Sequence, residues 1–335
     1  MDTALSILFG LAYIALGVGV LVIAKLVRDL VTPYKIDDEL TSKDNPALGL
    51  AMAGYFLAVV IIFLGAAIGP EPESRPTVAE MASNVASVVI YSLLGIGLLN
   101  VGAIILDKVV LNNFSVRKEI IDDRNCGTGA VVGGAYIATA LVVSGAIYGE
   151  TTGAWWHGLV STLVFFVLGQ AVLAIFGLIY RGVTKYDLHA EIEKDNVAAG
   201  VAFGLSVIAI GIVLLRATGQ DLNVIAQAVA AEQAAEVVQA IESGVPTDEL
   251  PDIVLDDEGE AVVSIADKWR YALVDFGYYA LGGFVVIVLL RRVTDALLLR
   301  GSTIYEEIAR DRNLNAAFIE GAVAIGIAGI AYFML

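Results

Sequence analysis

Eight apolar runs cross the chain, at roughly 4–27, 46–69, 84–106, 127–149, 157–180, 197–217, 270–293 and 314–335. A helix climbing about 1.5 Å per residue spans a hydrocarbon core about 30 Å thick in about 20 residues. The pattern therefore predicts eight transmembrane helices. A transmembrane barrel would instead show short segments of alternating polarity, and none is visible. The expected fold is an all-α polytopic membrane protein.

A second pattern lies in the polar stretches. Segments 34–54, 114–134, 186–204 and 302–321 each carry an aliphatic residue (Ile36, Val116, Leu188, Ile304), then a glutamate (Glu39, Glu119, Glu191, Glu307), then an asparagine (Asn45, Asn125, Asn196, Asn313) just before an apolar run. Repetition at this spacing fixes architecture before any local reading does. Each unit is a helix, a short amphipathic segment and a returning helix, so successive units share one orientation and the repeats are parallel. The asparagine is reached through Lys-Asp-Asn, Asp-Arg-Asn, Lys-Asp-Asn and Asp-Arg-Asn in turn. That alternation implies duplication of a two-repeat module, with four-helix copies at 1–150 and 155–335 and an acidic insertion at 219–268.

Charge sets the orientation. Of the 20 basic residues, 16 lie in the segments that follow odd-numbered helices, leaving Arg75, Arg216, Lys268 and Arg270 for the other side. By the positive-inside rule the repeated segments are cytoplasmic and both termini extracytoplasmic. The start Met1, Asp2, Thr3 lacks the basic region of a cleavable signal, so the first helix is expected to be retained.

Composition agrees, with 58% hydrophobic residues and a mean hydropathy of +0.79. The net charge of −16 makes nucleic acid an implausible partner. Most of that charge sits in the 219–268 loop, where 12 acidic residues face Lys268 alone. Residues 221–243 read as an amphipathic helix, and 253–265 as a short hairpin around Asp256, Asp257, Glu258 and Glu260. A cation site at that turn and a merely solvated acidic surface are both open readings. The single cysteine, Cys126, excludes disulfides and thiolate clusters within the chain. His157 and His189 stand at opposite ends of one helix, and no phosphate loop, dinucleotide fingerprint or zinc-protease helix occurs. No enzyme, metal or cofactor is expected.

The candidate functional residues fall in two sets. In the first, each asparagine stands where a helix begins. Its side chain can cap an unpaired backbone N–H, with Asp44, Asp123, Asp195 or Asp311 facing the positive helix end; ligand or ion binding is the alternative. Glu39, Glu119, Glu191 and Glu307 are expected either to pair with a neighbouring repeat's basic loop or to serve interfacial amphipathicity. Small residues four apart, such as Gly129 and Gly133 or Gly200 and Gly204, predict a close-packed set of even-numbered helices with bulkier odd ones outside. A glycine-lined pore is the competing reading. The second set lies within the membrane, where Asp275 and Glu320 are carboxylates well inside the last two helices. Arg216 is placed to reach Asp275 as a structural ion pair, and Glu320, with no basic partner evident, is the candidate proton or cation site.

Paired helices with an Asp-Asn or Asp-Arg-Asn at the start of a Gly/Ala-rich helix resemble the YjfL family of bacterial inner-membrane proteins, a family of unknown function. The resemblance covers nearly the whole chain as two tandem copies. It implies a multi-pass protein of the bacterial inner membrane, in contact with lipid, with membrane maintenance or envelope stress as its sphere and a peripheral cytoplasmic partner of the phage-shock type. A homo-oligomer is compatible with it. The function reading is then a non-enzymatic membrane component, set against an ion or proton channel or transporter using Glu320 and Asp275.

Overall fold

A computed structural model of the protein describes residues 3–68, 77–112, 115–148, 156–219, 239, 243, 264–298 and 303–334. Eight long helices cross it: α1 (Thr3–Val31), α2 (Pro46–Ala67), α3 (Val78–Ile105), α4 (Cys126–Tyr148), α5 (Trp156–Val183), α6 (Val197–Thr218), α7 (Ile265–Leu298) and α8 (Leu314–Met334). All eight are long and apolar enough to cross a membrane, and no strand occurs among the described residues. This is an all-α polytopic membrane protein. The helix and hairpin expected in the acidic loop fall outside the described residues.

The even-numbered helices stand in a row, α2 beside α4, α4 beside α6, and α6 beside α8. Glycine makes this row possible, because lipid offers helices no hydrophobic reason to associate and close backbone contact must supply the attraction. A methyl group on Gly54 would lie 2.4 Å from the Cα of Gly133, and one on Gly200 would lie 2.3 Å from the carbonyl oxygen of Gly127. These glycines are used in seams between helices. At the last seam Leu205 stands where Gly54 and Gly134 stand in the earlier ones, and its side chain meets Gly321.

The odd-numbered helices form a second layer, each lying over a seam. Helix α3 touches α2 and α4, α5 touches α4 and α6, and α7 touches α6 and α8. Helix α1 touches only α2 of the even row. Burial follows from this order: 78% of the α4 span is buried, against 11% of the α1 span. Exposed Ile7, Leu8, Leu11, Ile14 and Val18 on α1 suit a lipid-facing surface.

The even helices begin at 46, 126, 197 and 314, directly after their asparagines. Helix α3 begins at 78, several residues before its apolar run, because Thr77 and Glu80 form a reciprocal capping box with Thr77 N–H donating to Glu80 Oε2 at 2.6 Å. Helix α7, at 34 residues, is about 51 Å long and exceeds the hydrocarbon thickness.

Candidate functional site: an asparagine latch and two related cavities

The repeated segments share one end of the molecule, and the same hydrogen-bond pattern recurs in each. In three of them the glutamate lies in or beside a π-helical turn: Asp38–Ser42, Lys118–Asp122 and Glu306–Arg310. Bonds such as Lys43 N–H to Asp38 carbonyl, 3.1 Å, define the wide turn. The third segment is one residue shorter between glutamate and asparagine and is an ordinary α-helical turn, Leu188–Glu193, closed by Lys194 N–H to Ala190 carbonyl at 3.2 Å. In all four, the asparagine N–H returns to the glutamate carbonyl at 2.7–3.0 Å. The chain makes that return through a left-handed residue, Asp44 (φ 47°), Arg124 (52°), Asp195 (54°) or Arg312 (50°). Short polar Asp is tolerated there, whereas Arg carries a strain of about 1–2 kcal/mol.

Asn45, Asn125 and Asn196 each do three things, and Asn313 does the first two. Each Oδ1 accepts a backbone N–H of the following helix, from Leu48, Thr128, Ala199 and Asn315 respectively. Each Nδ2 donates to the glutamate of its own segment, at 3.4 Å for Asn45–Glu39, 2.8 Å for Asn125–Glu119, 3.0 Å for Asn196–Glu191 and 2.7 Å for Asn313–Glu307. The other Nδ2 hydrogen crosses to the next segment. Asn45 donates to the Ile120 carbonyl at 2.9 Å, Asn125 to Ile192 at 2.6 Å, and Asn196 to Ile308 at 2.9 Å.

This corrects the expectation for the glutamates. Among the described residues none of them forms an ion pair with a neighbouring repeat's basic loop, although the charge of Arg124 is felt at Glu39; the asparagine crosses, and the glutamate orients it. Where a glutamate has a basic partner it is local, Lys43 for Glu39 and Lys194 for Glu191 at 3.6 Å. Nor do all the aspartates face their own helix. Asp195 Oδ1 accepts the Gly127 N–H of the preceding segment's helix at 3.5 Å, and Asp123 is bonded to Lys118.

Electrostatics differ between the two best-buried latches. The hydrogen bond from Lys43 holds the Glu39 carboxyl below the usual range, against an opposing effect of burial. Burial pushes the Glu119 carboxyl up, with Asn125 only partly offsetting it. His189, in the third segment, places Nε2 2.8 Å from the Val110 carbonyl, and burial lowers its pKa. It thereby fastens the third segment to the π-helical turn Leu106–Val110 that follows α3.

Two cavities adjoin the latches, one in each half. The first, about 290 Å³, is lined by Arg28, Tyr34, Asn100, Val116, Val132 and Tyr136 among others. The second, about 500 Å³, is lined by Tyr180, Tyr186, Val288, Ile304, Glu320 and Ala324 among others. Counted from the adjoining Thr-x-Tyr turns and asparagines, Tyr180 occupies the place of Arg28, Val288 that of Asn100, Glu320 that of Val132 and Ala324 that of Tyr136. Thus the two related cavities differ in their ionisable groups: Arg28 lines the first, with Asp107 and Arg117, and Glu320 lines the second, with Lys185. In the first, Arg28 donates to Asn100 Oδ1 at 3.2 Å and lies 5.8 Å and 5.5 Å from the ring centres of Tyr55 and Tyr136. Sequence reasoning missed Arg28; a signal was present in the unlike residues, Arg28 and Tyr180, four before Thr32 and Thr184.

Glu320 is 2% exposed and faces the second cavity, with Ala316 and Ala328 of its helix also buried. Asp275 is half-buried on α7. The expected Arg216–Asp275 ion pair is not formed. Arg216 instead donates to Tyr279 Oη at 3.3 Å, with its guanidinium 4.8 Å from the Tyr279 ring centre. A phenol that offers both an acceptor and a π face captures the guanidinium first. Tyr278, three residues beyond Asp275 on α7, is 74% exposed.

A family model described as Domain of Unknown Function (DUF350) matches residues 3–147 and 154–335. The chain is also similar to a UPF0719 transmembrane protein of Aquifex aeolicus (strain VF5), 24% identical over 202 residues that span 59% of this chain and 71% of the relative. No solved structure matches. With the family pattern matched twice and almost end to end, the chain belongs to the DUF350 family, the YjfL-type membrane proteins, as two tandem copies.

Proposed function

We propose that this is a non-enzymatic scaffold of the bacterial inner membrane, with the four latch segments cytoplasmic and both termini outside. The observation that supports this best is the latched row: two successive seams close backbone to backbone, the third packs the Leu205 side chain on Gly321, and each is tied at one end by an asparagine bonded to the next segment's carbonyl. Such a row suits a rigid platform more than a path for solutes. The basic segments at the latch end, with Lys35, Lys43, Arg117, Lys118, Lys185 and Lys194, are the surface a peripheral cytoplasmic partner would read. Membrane maintenance is the role that fits such a platform.

Glu320 supports a second reading, an ion or proton carrier, because a buried carboxylate beside a 500 Å³ cavity within the membrane is a costly feature. Asp275, nearer the opposite end, would be its second station. Proteoliposome flux separates the two. The scaffold reading expects proton and monovalent-cation flux no faster than in empty vesicles. Flux that disappears in Glu320→Gln would replace it with the carrier reading. Orientation is checked by cysteine labelling in intact cells, expected to reach position 2 and the 220–268 loop while sparing 35–43 and 302–312.

A further inference from the structure

The latch is a directional contact, and among the described residues the first and fourth segments each leave one half of it unused. Three asparagines reach forward to a carbonyl of the next segment. Among the described residues, Asn313 Nδ2 donates to Glu307 alone. In the first segment Leu40 stands where Ile120, Ile192 and Ile308 stand, and no asparagine amide of the described residues reaches its carbonyl. Burial marks the same two positions: Asn45, Asn125 and Asn196 are buried and Asn313 is only half-buried, while Ile120, Ile192 and Ile308 are buried and Leu40 is half-buried.

The seam faces repeat this mismatch in the same register. Toward the following helix, α2 and α4 present Ala47, Leu50 and Gly54, then Gly127, Ala130 and Gly134, whose backbones meet the following helix. The corresponding residues of α8, Asn315, Phe318 and Ala322, are exposed. Toward the preceding helix, α4 and α6 present Gly129 with Gly133 and Gly200 with Gly204, all in backbone contact. On α2 the corresponding Gly49 has nothing within 4 Å of an added methyl group, and Ala53 is exposed. The outer layer agrees. Every odd-numbered helix but α1 covers a seam between two even ones, and α1 lies against α2 with its other side bare.

We infer that a second copy of this chain docks head to tail, with α8 of one copy packed on α2 of the next, Asn313 donating to the neighbour's Leu40 carbonyl, and the neighbour's α1 covering the new seam. The occupant is identified by continuity: the interface is the one the chain already makes three times within itself. One heterologous contact used repeatedly produces either a closed ring or an open file. The inference is independent of the scaffold reading, since a carrier could assemble in the same way.

Disulfide trapping in native membranes tests it. In a Cys126→Ala background, two differently tagged chains are expressed together, one with Ala53→Cys and the other with Ala322→Cys, the counterparts of the touching Gly133 and Gly54. A mixed disulfide dimer is expected, and none when Val167→Cys, at an exposed position of α5, replaces Ala53→Cys. In a second measurement, Ala322→Trp, on an exposed face, should leave the thermal midpoint of the isolated chain unchanged and lower the assembled fraction in mild detergent at least tenfold. A folded chain with no Ala53–Ala322 link would overturn the inference. So would Ala322–Ala322 dimers in its place, which indicate a two-fold contact, or equal linkage through Val167.

Discussion

Replacing Asn125 by alanine removes one side chain and three bonds at once, which makes it the sharpest probe of the latch. The helix cap lost from Thr128 N–H contributes about 1 kcal/mol. The bond to Glu119, at 2.8 Å, involves an ionisable partner and contributes about 1.5–3 kcal/mol. The 2.6 Å bond to the Ile192 carbonyl adds about 1 kcal/mol. The site is 1% exposed, so water cannot readily replace what is lost. Contributions within one network are not strictly additive, and the expected cost is roughly 3–5 kcal/mol. Asn125→Asp keeps the cap but turns both donors into acceptors, one aimed at a carboxylate and one at a carbonyl. It should cost at least as much at neutral pH and recover partly in acid. The assay is reversible unfolding in mixed micelles, followed by fluorescence of the three tryptophans, with Thr77→Ala as the reference for an exposed cap, about 0.5–1 kcal/mol. A cost for Asn125→Ala no greater than that of Thr77→Ala would refute the latch as an energetic feature.

Other expectations follow from the same geometry. Glu39, held below its ordinary pKa, contributes stability that is present at neutral pH and lost as pH falls through its folded-state value, so Glu39→Gln should destabilise at pH 7 and flatten the acid limb. Glu119, pushed up by burial, binds its proton more readily folded than unfolded, so its contribution is largest in acid and declines as pH rises from about 4.3 through the raised value. Glu119→Gln, still able to accept from Asn125, should leave stability at pH 7 unchanged or higher. Gly200→Ala should cost at least about 1–3 kcal/mol, because its methyl group would lie 2.3 Å from a backbone oxygen of α4, whereas Gly19→Ala on α1, with nothing within 4 Å, should be neutral or slightly stabilising in the same unfolding assay. A chain in which a short Gly/Ser linker joins Gly219 to Asp267 should still insert and unfold at the native midpoint; degradation would show that the acidic loop belongs to the core.

Much of this architecture is legible in the residue pattern, for reasons that can be named. Even helices start within one residue of expectation because an asparagine after a left-handed residue admits only one helix start. Their row was signalled by glycines four apart, since nothing else lets backbones meet in lipid. The odd helices drifted further, as at Thr77–Glu80, where a local cap outruns the apolar run. What could not be read was the partner across the latch. A backbone carbonyl such as that of Ile192 is present at every residue, so no letter in the sequence marks it as an acceptor. The Arg28 cluster was hidden differently, because Arg28, Tyr55, Asn100 and Tyr136 come from four helices and meet only when the two layers are stacked.

The mixture of π-helical and α-helical turns ahead of the asparagines carries a consequence for how such a chain can change. Deleting one residue from a continuous helix turns everything beyond it by about 100°, which would aim the glycines of the following helix away from their seam. Here the missing residue of the third segment is absorbed before the asparagine, by a narrower turn, and both the bond to Glu191 and the reach to Ile308 survive. The turn acts as a phase buffer. Length changes upstream of the asparagine are forgiven, while the rotational setting of the helix after it is preserved. The latch segments can therefore lengthen, shorten and acquire new surface chemistry from one copy to the next without the row of helices having to be rebuilt.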